Sequence, residues 1–158
     1  MSAVIQLRPS RTTTRLRIKR AAPAEISLTT IQKRRILESF RKVEPALELV
    51  GQLFYLRLFR IDPSLRAQFD GPAEVQARKF AAAIKLAMIS LKHDDGLGAV
   101  LELLGARHRQ LGIRGRHYRS MTRALIWTLE QSLEKSFTRE TKDAWNAFLG
   151  QAMRKLSA

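Results

Sequence analysis

From Leu28 to the C-terminus the apolar residues recur at intervals of three and four, the period of helices lying on a core, and no segment shows the strict alternation of a strand. Thr29 or Thr30 is placed to cap a first helix, with Leu37, Phe40 and Val43 on one face and Glu44-Pro45 marking the step into the next. The second stripe runs Leu47, Gly51, Phe54, Tyr55 and Leu58. The segment IDPSLRAQF then reads as a short helical corner, opened by Asp62-Pro63 and closed by the polar link Asp70-Gly71-Pro72. A long third helix starts near Pro72, stripes Gln76, Phe80, Ile84, Ala87, Met88 and Leu91, and ends at the breaker His93-Asp94-Asp95-Gly96. A fourth carries Val100, Leu101, Leu104, His108 and Leu111 and stops near Gly112. Two long helices follow, one with Tyr118, Met121, Leu125 and Leu129, the other with Trp145, Phe148, Leu149, Ala152, Met153 and Leu156. Thr138 stands ahead of Glu140 and Asp143, an arrangement that suits a helix N-terminus and its dipole. There is no internal repeat, and the pattern predicts an all-α domain of six or seven helices.

The first 27 residues break this rhythm. They are basic and rich in Ser and Thr, carry Pro9 and Pro23, and show no sustained period, so residues 1–27 are expected to be a disordered tail ahead of a domain spanning 28–158. An organelle transit peptide has a similar composition and is the weaker alternative. A chain of 158 residues with 45% apolar content suits one domain with a continuous core. No apolar run approaches the roughly 20 residues of a membrane span, and no secretory apolar segment opens the chain, so a cytoplasmic protein is expected.

Charge adds a second feature. The formal net charge is +15, and six bases (Arg8, Arg11, Arg15, Arg17, Lys19, Arg20) precede the first acid, Glu25; the remainder still holds 23 bases against 14 acids. A field of that sign favours an acidic protein or an anionic membrane surface, with the tail as the docking element. It also favours nucleic acid, but no helix-turn-helix, zinc finger or aromatic RNA-binding motif is visible, so no specific nucleic acid is expected. The absence of cysteine excludes disulfides, thiolate metal sites and cysteine nucleophiles.

Three histidines are then the only nitrogen ligands, and His108 alone sits in an apolar stripe. An imidazole there is either a buried histidine with its hydrogen bonds satisfied or an axial ligand to haem iron. Tyr55, on a core face beside Phe54 and Leu58, needs a partner for its hydroxyl, whether a bound gas or a backbone carbonyl. Gln76 heads the stripe one turn before Phe80, so its amide is expected to point into the same cavity. His93 and His117 read as surface residues.

The succession FYLRLFRIDPSLRAQF (Phe54 to Phe69), VQARKF (Val75 to Phe80) and LGARHRQLGIRGRHY (Leu104 to Tyr118) resembles the globin family. More narrowly it is similar to single-domain bacterial globins and the globin part of flavohaemoglobins, from about Leu28 to the end. The resemblance implies a globin fold around haem b, with His108 as the proximal iron ligand and Tyr55 and Gln76 on the distal side as the functional pair. It further implies that Phe69 packs on the porphyrin and that Phe80, at a position commonly leucine, narrows the distal cavity. Arg78 is expected to pair with a haem propionate. With glutamine in place of a second histidine, the iron is expected to be pentacoordinate or only weakly hexacoordinate. Two distal donors then predict tight oxygen binding and slow autoxidation.

Tyr118 matches a tyrosine that lies near the proximal histidine of flavohaemoglobins. The glutamate that accompanies it falls beyond Ala158, so strong oxygen activation is not expected. The implied ligands are O2, NO and CO. Nitric oxide dioxygenation is expected only with a separate reductase, because no flavin or nicotinamide segment is visible. A gas sensor or interaction module docking through its basic tail is the alternative.

Overall fold

The computed structural model describes residues 25–158, and there the chain folds into six α-helices with no strand. They are α1 (Thr30–Val43), α2 (Leu47–Ile61), α3 (Ala73–His93), α4 (Leu97–Gln110), α5 (Gly115–Leu133) and α6 (Arg139–Leu156), with short 3₁₀ turns after α1, α2 and α5. Most of the expected basic tail, residues 1–24, lies outside the described residues.

Local chemistry sets the helix ends. Thr29 caps α1 in a reciprocal box: its hydroxyl accepts from the Gln32 backbone N–H at 3.1 Å, and the Gln32 side-chain oxygen Oε1 accepts from the Thr29 N–H at 2.9 Å. Thr138 caps α6 by accepting from the Thr141 N–H at 3.3 Å. Asp62-Pro63 ends α2, because proline has no N–H to continue the ladder, and Pro63–Gln68 closes into the expected corner. Asp94 and Gly96 take left-handed conformations, φ 51° and 68°, and separate α3 from α4.

The stripes then face one another. α2 packs between α3 and α5, while α6 lies against α1, α4 and α5. Two glycines permit the closest approaches. A Cβ on Gly51 would fall 2.9 Å from the Phe80 ring and 3.1 Å from the Ala77 carbonyl, so α2 and α3 cross almost backbone to backbone. A Cβ on Gly105 would fall 2.5 Å from the Leu156 carbonyl, which brings α4 equally near α6. Trp145, the largest fully buried side chain, locks α6 to α1: its indole N–H donates to the Ser39 hydroxyl at 2.9 Å, which donates to the Ile36 carbonyl at 2.9 Å. A buried indole N–H without such a partner would be costly, and the relay removes that cost.

Two expectations need correction. The boundary at residue 28 is slightly late, since Ile26 already packs on the core and the Ser27 backbone exchanges two hydrogen bonds with the Gln151 amide, at 2.7 and 2.8 Å. His117 is not a surface residue. It is 4% exposed in the first turn of α5, where its Nδ1 accepts from the Arg114 N–H at 2.9 Å and so caps the helix. Histidine is uncommon in that role, which is why the sequence pattern alone did not mark it. His93 is exposed. No helix of the described residues is long and apolar enough to cross a membrane.

Candidate cofactor pocket

Among the described residues the packing leaves a cavity of about 370 Å³ bordered by α2 to α6 and the corner after α2. Its walls are chiefly apolar: Phe54 and Phe80 on one side, Leu101, Leu104 and Leu111 on α4, and Met121, Phe148 and Ala152 from the last two helices. The size and the sparse polar lining are those of a small-molecule or cofactor site.

His108 lines this cavity from α4. It lies three residues after Gly105, the glycine at which α4 comes closest to the end of α6. The Nδ1 atom is sealed from solvent and has no hydrogen-bond partner among the described residues. Burial also pushes the imidazole pKa below its ordinary value, so the ring is neutral at pH 7 and keeps a free lone pair. No three His, Cys, Asp or Glu side chains cluster among the described residues to hold a metal ion by themselves.

Behind His108 lies Tyr118, its ring 5.9 Å away centre to centre. The Tyr118 hydroxyl donates to the Leu156 carbonyl at 3.1 Å, in the last turn of α6. That carbonyl is one of the acceptors a helix end leaves open, so Tyr118 both satisfies it and joins α5 to α6 next to His108. Tyr118 itself does not line the cavity.

On another wall Tyr55 sits in an aromatic cluster, 5.1 Å from Phe54, 5.2 Å from Phe69 and 5.8 Å from Phe59. Burial raises its pKa to about 12, so the phenol is a neutral donor at any physiological pH. No protein group among the described residues bonds its hydroxyl. The backbone-carbonyl alternative weighed for this tyrosine is not what the structure adopts.

Gln76 also lines the cavity, but its side-chain N–H donates to the Asp70 carbonyl in the corner. The two distal side chains are thus unlike: Tyr55 has a donor to offer and Gln76 holds its own against the backbone. Phe69 lines the cavity edge-on to Tyr55, and Phe80 lines it while stacking on Phe54 at 4.9 Å over the space that Gly51 leaves empty.

Arg78 departs from expectation. It is exposed and does not line the cavity, being two residues, or about 200°, round α3 from Gln76. Lys79, three residues from Gln76 and so nearly on its face, lines the cavity instead, as does Arg107 on α4. Helical spacing from Gln76 was the available signal for Lys79. Arg107 precedes His108 directly and carried none.

The comparisons with known proteins agree with this architecture. The family model Globin matches residues 52–156. A flavohemoprotein of Vibrio cholerae is 30% identical over 117 residues, covering 68% of this chain and 30% of that protein, and one of Bordetella pertussis is 31% identical over 107 residues. The chain spans about 30% of the length of these relatives. Among solved structures, a hexacoordinated heme protein from an anhydrobiotic tardigrade superposes with a TM-score of 0.71 at 19% identity, covering 84% of this chain and 94% of that one. With its helices, its central cavity and a family match over most of the folded part, the chain belongs to the globin family.

Proposed function

We propose that this globin binds haem b and, through it, O2, NO and CO. The observation that carries the reading is His108, a neutral imidazole with an orphaned buried nitrogen, facing into an apolar cavity whose other wall offers the unpartnered Tyr55 hydroxyl. The residues present fit the group. The apolar walls suit a flat ring, His108 would supply a nitrogen ligand to its metal, and Lys79 and Arg107 would supply cations for the ring's two carboxylates. When bound, haem supplies an iron atom with a coordination position open to a diatomic gas.

The chain's own residues set how that position behaves. Tyr55 donates a hydrogen bond toward a polar gas ligand and slows its escape. Gln76 joins it only by leaving Asp70, so its contribution carries the cost of that bond. Phe69 and Phe80 keep water out and limit ligand size. Tyr118 holds α5 on α6 beside His108 through its hydrogen bond to the Leu156 carbonyl. Nitric oxide dioxygenation is the second activity we assign, dependent on electrons from a separate reductase.

The test is the visible spectrum of the purified ferrous protein with and without carbon monoxide, for the wild type and for His108→Ala. A Soret band that shifts with carbon monoxide and is lost in the variant is expected. A wild type that takes up no haem, or a variant with an unaltered spectrum, refutes the reading. Rapid nitric oxide loss that appears only when a reductase is added separates turnover from binding alone.

A further inference from the structure

α2 and α5 run antiparallel along one side of the molecule. Leu49 and Leu53 of α2 border a surface hollow of about 260 Å³ with Ser132 near the end of α5, Arg57 lies over the Trp127 ring at 4.7 Å, and the Ser120 hydroxyl reaches the Asp62 carboxylate at 3.5 Å near the start of α5. Their inner stripes fill the core. Their outer stripes form a continuous face whose chemistry the fold does not require.

On α2 that face shows Leu49, Leu53, Leu56 and Arg60 at the spacing of a single helical stripe, with Leu49 66% and Leu56 61% exposed. On α5 it shows Arg116, Arg119 and Arg123, all exposed, leading to Trp127. No acid occurs between Glu48 and Asp62, and none between Glu102 and Glu130, so both stripes are free of negative charge along almost their whole length. Asp62 sits at one end, its carboxyl held below the usual range chiefly by the Ser64 hydroxyl, with His117 and Arg116 adding to the effect.

Leucine, tryptophan and arginine along a face that ends in a recess lined by Lys42, Leu49 and Leu53, with acids only at its ends (Glu48, Asp62 and Glu130), is the composition of a protein-binding face rather than of an ordinary solvated one. Its cations along both stripes are guanidinium groups, which shed water easily and take carboxylates in pairs. Arg57 is already fixed: its Nε is buried without a partner and its plane rests on Trp127, so little freedom is lost when its outer nitrogens meet an anion.

We propose that the α2–α5 face docks an acidic protein, which sets an apolar side chain in the hollow beside Leu49 and Leu53 and lays carboxylates against Arg57, Arg60 and Arg123. A second copy of this chain is the wrong occupant, because a two-fold contact would set these arginines against one another in a chain already at +15. A nucleic acid backbone matches the charge and leaves the exposed leucines without a partner. A bilayer takes up an aromatic ring and a row of protruding apolar side chains, whereas here Trp127 is covered by Arg57 and Leu49, the most exposed leucine of the face, borders a recess. The inference stands on this face alone and does not depend on what fills the internal cavity.

The test is an amide-shift titration of the full-length, isotope-labelled protein with a short helical peptide that carries leucines on one face and glutamates on either side of them. Shifts confined to α2 and α5 are expected. Affinity should fall about tenfold or more in Leu56→Asp and in the pair Arg60→Glu with Arg123→Glu, but not in Lys85→Glu on the exposed side of α3. The same peptide with alanine for leucine should bind correspondingly less well, an outcome that needs no change to the protein. Equal binding of the alanine peptide, shifts that map to residues 1–24, or anionic vesicles that perturb these amides while the peptide does not, each overturn the proposal.

Discussion

Replacing Gly105 by alanine tests the geometry on which the internal site depends. In an isolated helix this change is favourable by about 1 kcal/mol, because alanine loses less backbone freedom than glycine. Here the new methyl carbon would fall 2.5 Å from the Leu156 carbonyl oxygen and 3.1 Å from two further Leu156 backbone atoms, where ordinary contact begins near 3.4 Å. No flexible side chain can swing aside, so α4 must move off α6. Overpacking of this kind costs about 1–3 kcal/mol, which outweighs the propensity gain at all but the lower end.

Gly150→Ala is the matched control. It lies in α6, has the same intrinsic gain, and its methyl would meet only the Arg154 guanidinium at 3.7 Å, so it should stabilise by up to about 1 kcal/mol. The two variants are expected to differ by about 1–3 kcal/mol, or by about 3–9 °C in Tm for a chain of this size, in melts followed by circular dichroism. Because His108 lies one turn beyond Gly105, Gly105→Ala should also lose haem faster to an acceptor protein. A Gly105→Ala protein that melts with Gly150→Ala, at or above the wild type, would refute the close contact of α4 with α6 and with it the placement of His108.

Tyr55→Phe should leave the Tm nearly unchanged, since the hydroxyl has no protein partner, while oxygen dissociation from the haem-loaded protein speeds by about tenfold or more in stopped-flow; an unaltered rate removes Tyr55 from the site. The lowered pKa of His108 predicts a pH dependence for the haem-free protein. The unfolded chain takes up this proton near 6.5 and the folded one only at lower pH, so stability is full above about 6.5 and declines as pH falls toward the folded value. Urea midpoints should show that decline in the wild type and a shallower one in His108→Gln; identical slopes contradict burial of a neutral ring. Trp145→Phe should cost about 1–2 kcal/mol, and adding Ser39→Ala should cost little more, because both remove the same hydrogen bond; fully additive losses in a double-mutant cycle would show that the relay does not stabilise the fold.

Much of the fold was legible along the chain because helices record their environment locally. Thr29, Thr138, Asp62-Pro63 and the breaker before Leu97 act within a few residues of themselves, and each marks a helix end in the structure. The apolar stripes likewise name the inner faces, since a helix turns each residue by a constant angle. Family resemblance added the order of the parts and the likeness of His108, Tyr55 and Gln76 to known pocket residues, whose roles here rest on the experiments described.

What only the tertiary structure decided is which partner each polar side chain takes and which helix faces become neighbours. Gln76 engages the Asp70 carbonyl, His117 turns inward to cap its own helix, and Arg78 yields its place at the cavity to Lys79 and Arg107. The outer stripes of α2 and α5 look separately like ordinary solvated faces, and become one basic and apolar surface only when the two helices lie side by side. Periodicity and local capping are properties of a few consecutive residues and can be read from them. Which donor meets which acceptor, and which two faces become neighbours, depends on how rigid helices cross, and here those crossings are set by the missing side chains of Gly51 and Gly105.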